Sequence, residues 1–558
     1  MQQSNTILLL FIFLCSGVVS SAQTPGRNYV RHDKSVSSTD IISTVQYYDG
    51  IGRPTVTAVN SNGAGSAYLY SSKRYSYGQQ VSVETLPVQG GTSPDYYSCS
   101  DLSGMTGPLY GSDSHAFIAY DYDGLDRLVT TETPGDNWHK GMHYPRKSYG
   151  VCGANEVIKF DGGLSYSGFY AAGALTVETV TDEDGHASGV YKDMLGRTVM
   201  ERRGSDNDTY YVYNAMGLLM YVLPPAISSG LGTSGTVSQD LLSKYGYQYY
   251  YDNAGHCTGK TLPGCRRENY ELDHGNRVVF SQTGNQSDQG LWFFDLYDSQ
   301  GRPAVHGLVT SGGGAASYDG HIITARYTGT GIYDGWEANV SLTGYTILQT
   351  NYYDDYKYLA LLPAGEKSQL SPLPTSPADA TGLLTGTRTR YSSTGITASN
   401  INTVLPYLTA CLYYDTKGRL TQSNTTNILG GSDVTVTDYN FISGSVNTRW
   451  HQHTAPGKPV VTETCQYAHD SADRVTGVTY SLNGGTPVTM CEYTYDELGR
   501  VKTKRLGGSE CIGYSYNIRG WQTGISSDHF EETLSYESAT DGLTPGVCAY
   551  NGNISAMR

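Results

Sequence analysis

The chain has 558 residues, a formal net charge of −15, 16% charged residues, 67 Gly, and 49 Tyr against 10 Phe. The acidity is spread along the sequence, which disfavours a nucleic-acid partner, since that needs a basic face to neutralise phosphates, and likewise docking on anionic lipid; no nucleic-acid partner is expected. Tyr and Thr suit a half-wet pleated surface and Gly supplies turns with positive φ, so the composition predicts many short strands joined by tight turns.

The first element is a targeting signal. Ile7 to Cys15 is an unbroken apolar run, too short for a bilayer, which needs roughly 20 residues. Ser20, Ser21 and Ala22 place small side chains before Gln23, so cleavage is expected between Ala22 and Gln23. Met1 to Thr6 lacks Lys and Arg, and a buried N-terminal strand is the competing reading. Leu14 before Cys15 argues against lipidation, which wants a small residue there. No later stretch is long and apolar enough for a transmembrane helix. Export past the inner membrane, to periplasm, cell surface or exterior, is the expectation.

A repeat follows. Tyr48, Asp49, Gly52 and Arg53 mark a six-residue unit that recurs at Tyr122, Asp123 and Arg127, at Tyr297, Asp298, Gly301 and Arg302, at Tyr414, Asp415, Gly418 and Arg419, and at Tyr495, Asp496, Gly499 and Arg500. Looser copies begin at Tyr213, Tyr251 and Tyr516, or keep only the turn at Asp193, Asp273 and Asp470. Neighbouring copies commonly lie about 21 to 26 residues apart, the length of two short strands with two turns. Each copy therefore reads as one hairpin. The Asp carboxylate can accept from the backbone two residues on. Gly at the fourth turn position, or Asp126, Asn276 and Asp473 in its place, can take the left-handed conformation of a bulged short loop. Tyr before the turn and Arg after it should meet across the hairpin, with Arg stacking on the ring or pairing with an Asp. Tyr247, Tyr249 and Tyr251 alternate along one run, as do Tyr493 and Tyr495, which puts each set on one sheet face.

Three stretches break the rhythm. Ser238 caps an expected short helix ending near Lys244; Leu308 to Pro363 is Gly-rich and then aromatic; Ala364 to Leu405 is rich in Ser, Thr and Pro, with Ser371 to Pro377 the best linker. Nine cysteines follow the signal, without a Cys-x-x-Cys pair. Cys257 and Cys265 flank an expected hairpin and are the pair best placed to bridge; most of the cysteines read as small buried hydrophobes.

Catalytic and metal signatures are weak. His139 and His143 have helical spacing, and His451 and His453 have strand spacing, but neither pair has a third ligand at a recognised interval, so both read as surface histidines. Asp182, Glu183 and Asp184 begin like a calcium loop and then lack ligands, so an acidic turn is expected. Paired carboxylates of a hydrolase would meet only in space, and nothing in the sequence points to them. No catalytic residue, cofactor or metal site is assigned.

The repeated Tyr-Asp hairpins resemble the YD repeats of bacterial RHS proteins. Nearer likenesses to exported RHS proteins of the Bacteroidetes type run from Asn28 to Arg31 and Val45 to Pro54, through Thr283 to Phe294, Asn351 to Tyr356 and Gly382 to Thr387, to Tyr514 to Trp521 and Tyr550 to Ser555. The resemblance implies an all-β fold: a YD-repeat hairpin strip winding into an open or partial shell, with a few short helices. It divides the chain into a signal peptide (1–22), an N-terminal RHS-associated β module (23–150), a YD-repeat region (151–310), an irregular insertion with a linker (311–405) and a second YD-repeat region (406–558). It also implies a structural, non-catalytic role. The core segment and toxin that follow the repeats in some relatives are not found before Arg558, so a truncated frame, a split gene or a standalone module is expected. The partners implied are a downstream core or toxin polypeptide, or surface glycans; a carbohydrate-binding surface module is the alternative function, and a hydrolase a more distant one.

Overall fold

The computed structural model describes residues 24–558 apart from 25, 61–62, 64, 112, 114, 315–317, 372–377, 392–395, 398–400, 402–405 and 538–547. The signal segment with Ala22 and Gln23, and residues 372–377 of the expected linker, lie outside the described residues.

Most of the chain folds as one 34-stranded antiparallel sheet in which nearly every strand pairs with the next strand of that sheet along the sequence; Val88–Gln89 instead pairs back on Leu69–Tyr75. Among the described residues the sheet stays open. Its first strand, Asn28–Ser35, pairs only with Ile41–Tyr48, and its last, Ala556–Met557, only with Glu531–Ser535. Alternation sets the two faces: Ile41–Tyr48 buries Ser43, Val45 and Tyr47 and leaves the residues between them wetter. The all-β class, the strip and the scarcity of helix follow from the short alternating runs and their turns.

The strip acquires a core where the chain leaves it and lies back across one face. Cys99–Ser103, a helix capped by Ser98, covers Val45, Tyr47 and Tyr70. A small sheet of Ile158–Phe160, Ser165–Phe169 and Ser234–Thr236 joins helix Gln239–Tyr245 over Met200, Val212 and Leu223. That helix is capped by Ser238, whose Oγ accepts from Leu241 N at 3.3 Å. The hairpin Ala325–Gly331/Gly335–Ala338 closes the largest core, around Phe280, Phe294, Tyr352 and Tyr358. Two strands of the 311–405 segment, Tyr345–Asp354 and Ala380–Arg390, run within the main sheet.

The strip also returns on itself. Trp138 Nε1 donates to Tyr550 O at 2.7 Å and its ring meets Trp521 edge-on, 5.7 Å between centroids. Arg519 lies over both indoles, pairs with Glu183 at 3.4 Å and donates to Thr133 Oγ1. Tyr550 N donates to Asp184 at 2.7 Å. Contacts between positions more than 330 residues apart make the strip a curved wall whose late hairpins rest on early ones.

The described cysteines are thiols. The bridge expected between Cys257 and Cys265 is not formed: Cys257 begins strand Cys257–Thr261, whereas Cys265 lies in the loop beyond its other end. The strand's own length separates them.

Candidate functional site

The repeat turn comes first because it sets every other position. In the first copy, Asp49 Oδ1 accepts from Ile51 N (3.0 Å) and Arg53 N (2.9 Å), and Oδ2 accepts from Arg53 Nε (2.7 Å). Asp49 N donates to Arg53 O, Gly52 N donates to Asp49 O, and Gly52 has φ +85°. This is a short bulged loop, and the ladder shifts register beside it. The same clamp holds at Asp123 with Arg127, Asp298 with Arg302, Asp415 with Arg419 and Asp496 with Arg500, and at Asp193, Asp273 and Asp470. Gly301, Gly418 and Gly499 have φ of +79°, +76° and +83°; Asp126, Asn276 and Asp473 stand at +58°, +60° and +67°. Asn214 and Asn517 make the backbone half of the clamp. The hydrogen bond from Arg53 N–H holds the Asp49 carboxyl below its ordinary range although loss of water around it pushes the other way; the Arg127 side chain, and then its N–H, do so for Asp123.

The Arg of each turn does not stack on the Tyr of its own turn. It covers a Tyr in the second half of the next long strand, in most copies its last residue. Arg53 lies over Tyr75, Arg127 over Tyr149, Arg277 over Tyr297, Arg419 over Tyr439, Arg474 over Tyr495 and Arg500 over Tyr516, at 4.2–4.8 Å. Each of these rings then donates its hydroxyl to the carbonyl just after that Arg: Tyr297 to Val278 O (2.9 Å), Tyr495 to Val475 O (2.6 Å), Tyr516 to Val501 O (2.9 Å). Tyr122 and Tyr414 make the same bond, to Val81 O and Leu384 O. The physical reason is reach: antiparallel twist carries the turn's guanidinium toward the following strand, while its own Asp fixes Nε. Burial pushes the Tyr297 phenol up to about 12, so the donor keeps its proton. The pattern also includes Tyr149, Tyr353, Tyr439 and Tyr536, which the six-residue unit does not reveal. The turn at Ser76–Gln80, with Gln79 at φ +67°, is likewise a repeat turn without its Asp. Tyr75, Tyr353 and Tyr439 carry one local signal, an Asx or Ser directly after the ring; Tyr149 and Tyr536 carry none.

A cavity of about 510 Å³ opens beside the turn at Asp298. Trp336, Tyr352, Tyr353 and Tyr358 supply its aromatic wall. Tyr352 and Tyr358 stack at 4.2 Å, both buried. Arg302 joins two carboxylates at the rim, donating to Asp298 through Nε (2.7 Å) and bidentately to Asp354 (3.0 and 2.7 Å). Asp354, at φ +70°, also accepts from Gly382 N, and its carboxyl is held low, first by Arg302. The Trp336 Nε1–H is buried, with no protein partner. Asp298, Asp354 and Asp355 balance Arg302, Arg326 and Lys357, so the lining is neutral. Asp298 and Asp354 are committed to the Arg302 guanidinium and Asp355 to the Lys357 ammonium, and Asp334 and Glu366 lie 3.7 and 3.1 Å from Arg388. Such pairs hold structure.

Other titratable groups gather at turns and seams. His139 is in a loop, stacked on His115 at 4.4 Å, and His143 stacks on Tyr550. Asp113, His115 and Asp136 form one set with potential ligand atoms within 4.8 Å, and Asp182, Asp184 and His186 another. Asp182 makes the turn clamp, accepting from Asp184 N and His186 N. His451 and His453 share a sheet face with Asp433 and Glu463, partners that sequence spacing could not supply because they come from neighbouring strands.

The chain is an open antiparallel β-hairpin strip, and no described helix is long and apolar enough to cross a membrane. Residues 20–151 match a family described as Domain of unknown function (DUF6443). No curated protein matches. Similar solved structures include TcdB2-TccC3 without its hypervariable C-terminal region, at 14% identity and TM-score 0.47 over 91% of this chain. A Tc holotoxin pore from Photorhabdus luminescens is 13% identical, with TM-score 0.46 over 91% of this chain. This chain covers 23% of each of those chains. At that level the fold rests on the strand pairing described above.

Proposed function

We propose that this is an exported, non-catalytic structural protein whose hairpin strip forms part of the wall of an RHS-type shell. One observation carries the reading: each repeat spends its chemistry on the next repeat. Asp makes the turn, Arg and Tyr join consecutive hairpins, and the grouped carboxylates beside them are neutralised. The curvature that brings Tyr550 to Trp138 suits a wall. Segment 23–150 would begin the wall, 151–310 and 406–558 would extend it, and 311–405 would thicken it. Its partner would be a core or toxin polypeptide held against the wall. The test is electron microscopy of the secreted chain, with N-terminal sequencing to locate cleavage before Gln23. Curved particles that straighten in Trp138→Ala support the reading; a retained, uncleaved or extended wild-type chain would sink it.

The cavity beside Asp298 favours a second reading, a carbohydrate-binding wall. Aromatic side chains and a neutral rim suit a hydroxyl-rich ring. A glycan array probed with wild type and Tyr353→Ala decides it; equal signals from both would end this reading.

A further inference from the structure

Strand Asn28–Ser35 ends the sheet on one side, and every residue of it is exposed. The bonds around it show which backbone groups face outward. Val36 N donates to Asp40 O at the turn, and Asn60 N donates to Ser43 O on the far side of Ile41–Tyr48. Asp33 stands opposite Ser43, so strand alternation turns the N–H and C=O of Tyr29, Arg31, Asp33 and Ser35 away from the sheet. Among the described residues none of these groups has a backbone partner. Arg31 and Asp33 share one face of this edge, paired at 2.8 Å, and Arg31 also donates to Ser43 Oγ at 3.1 Å.

We propose that Asn28–Ser35 is a self-complementary edge at which two copies of this chain join, antiparallel, into one continuous sheet. Charge selects the register. Outward groups meet outward groups only where the two-fold axis passes through a residue position. An axis at Arg31 sets that guanidinium against its own copy, an axis at Asp33 sets two carboxylates together, and an axis at Val30 shortens the overlap. An axis at His32 places Arg31 of each copy opposite Asp33 of the other and brings Tyr29 opposite Ser35. Each of these pairs would exchange both backbone bonds. The Arg31–Asp33 pair within each strand would close with its copy into a ring of alternating charges. On the other face Lys34 would fall opposite Val30, laying its stem along an apolar side chain that is 57% exposed. Charged side chains on an edge strand commonly prevent pairing. Here the two signs are spaced so that a second copy in this one register satisfies both, and the neighbouring registers are penalised. The opposite end of the strip provides no such template, since its last strand is only Ala556–Met557. Joining at this edge requires neither export nor a shell.

The test is sedimentation-velocity centrifugation of the full chain, with charge-swapped variants of the edge. Wild type is expected to sediment as a dimer. Arg31→Asp and Asp33→Arg each set like charges opposite one another and should weaken dimerisation at least ~10-fold. Mixed in equal amounts, the two variants should recover that loss, because opposite charges then face each other across the joint while the pair within each strand stays like-charged. His32→Cys should cross-link on oxidation to residue 32 of its own copy, since a non-hydrogen-bonded pair brings Cα atoms about 4.5 Å apart; peptide mass spectrometry reads the link. A monomeric wild type overturns the proposal without any variant having to fold, and would leave the edge to another segment or another protein. So does an equal mixture that dimerises no better than either variant alone.

Discussion

Two stretches of the strip are built from the same hairpins and differ in what lies on them. From Val278 to Tyr414 the chain leaves the sheet for the 325–338 hairpin and helix Ala364–Gln369, and these elements help seal Phe280, Phe294, Leu296, Tyr352 and Tyr358 at 3% exposure or less. From Val446 to Ser526 the sheet runs hairpin after hairpin without such an excursion, and none of its strands holds a fully buried side chain. Yet the turn clamps are the same: Asp298 with Arg302 in one, Asp470 with Arg474 and Asp496 with Arg500 in the other. The repeat therefore determines the path of the strip, and the departures from the repeat supply its hydrophobic stability. Burying apolar area is worth roughly 25 cal/mol per Å², so the first stretch should be much the more resistant to unfolding.

The strongest way to break that contrast is in the covered core. Phe294→Ala should cost about 3–5 kcal/mol, the range for a large buried ring, and should unfold 278–414 while leaving 446–526 exchanging hydrogen as before; hydrogen-exchange mass spectrometry reads both stretches at once. Next is the seam. Arg519 and Glu183 have side chains 12% and 14% exposed, so Arg519→Ala strands a buried carboxylate and should cost about 3 kcal/mol. Protease should then cut near 183 and 519 faster than wild type. Smaller is the inter-repeat bond. Tyr495→Phe keeps the ring under Arg474 and loses only the bond to Val475 O, about 1 kcal/mol, and its effect should stay within neighbouring hairpins.

The smallest single effects are those of the turn carboxylates, which add up through pH. Asp49, Asp123 and Asp252 are held below their ordinary range by hydrogen bonds from the turn. A depressed native pKa contributes stability above the unfolded carboxyl pKa, about 3.9, and that contribution is lost as pH falls through the native value. The urea midpoint should therefore be flat with respect to these groups from neutral pH down to about 4 and drop below it. Asp123→Asn, which preserves the backbone half of the clamp as Asn214 does, should shallow that acid limb.

Much of this architecture is legible in the residues themselves. The turn is local: Asp49, Gly52 and Arg53 act within five positions, so a single hexamer displays its own hydrogen bonds. What could not be read is whatever spans hairpins. The phenol of Tyr297 finds Arg277 and Val278 across about twenty residues, and Tyr353 finds Arg302 across about fifty because an excursion intervenes. The same holds for His451 and His453, whose acidic neighbours belong to other strands, and for Trp138, which meets Tyr550 only because the strip curves. The cavity at Asp298 needs residues from three separate segments and leaves no mark in any one of them.

The tyrosine that docks under the preceding arginine gives the strip a polarity. Where a turn carries Arg, it offers a guanidinium and a carbonyl forward and the next long strand presents a ring backward, so these contacts are head-to-tail and never symmetric. A chain emerging amino end first would always find its docking place already made, with each new hairpin completing the one before. Docking along the strip is thus directional, and adding or deleting a whole hairpin would preserve the remaining junctions of this kind while shifting the seam where Trp138 meets Tyr550.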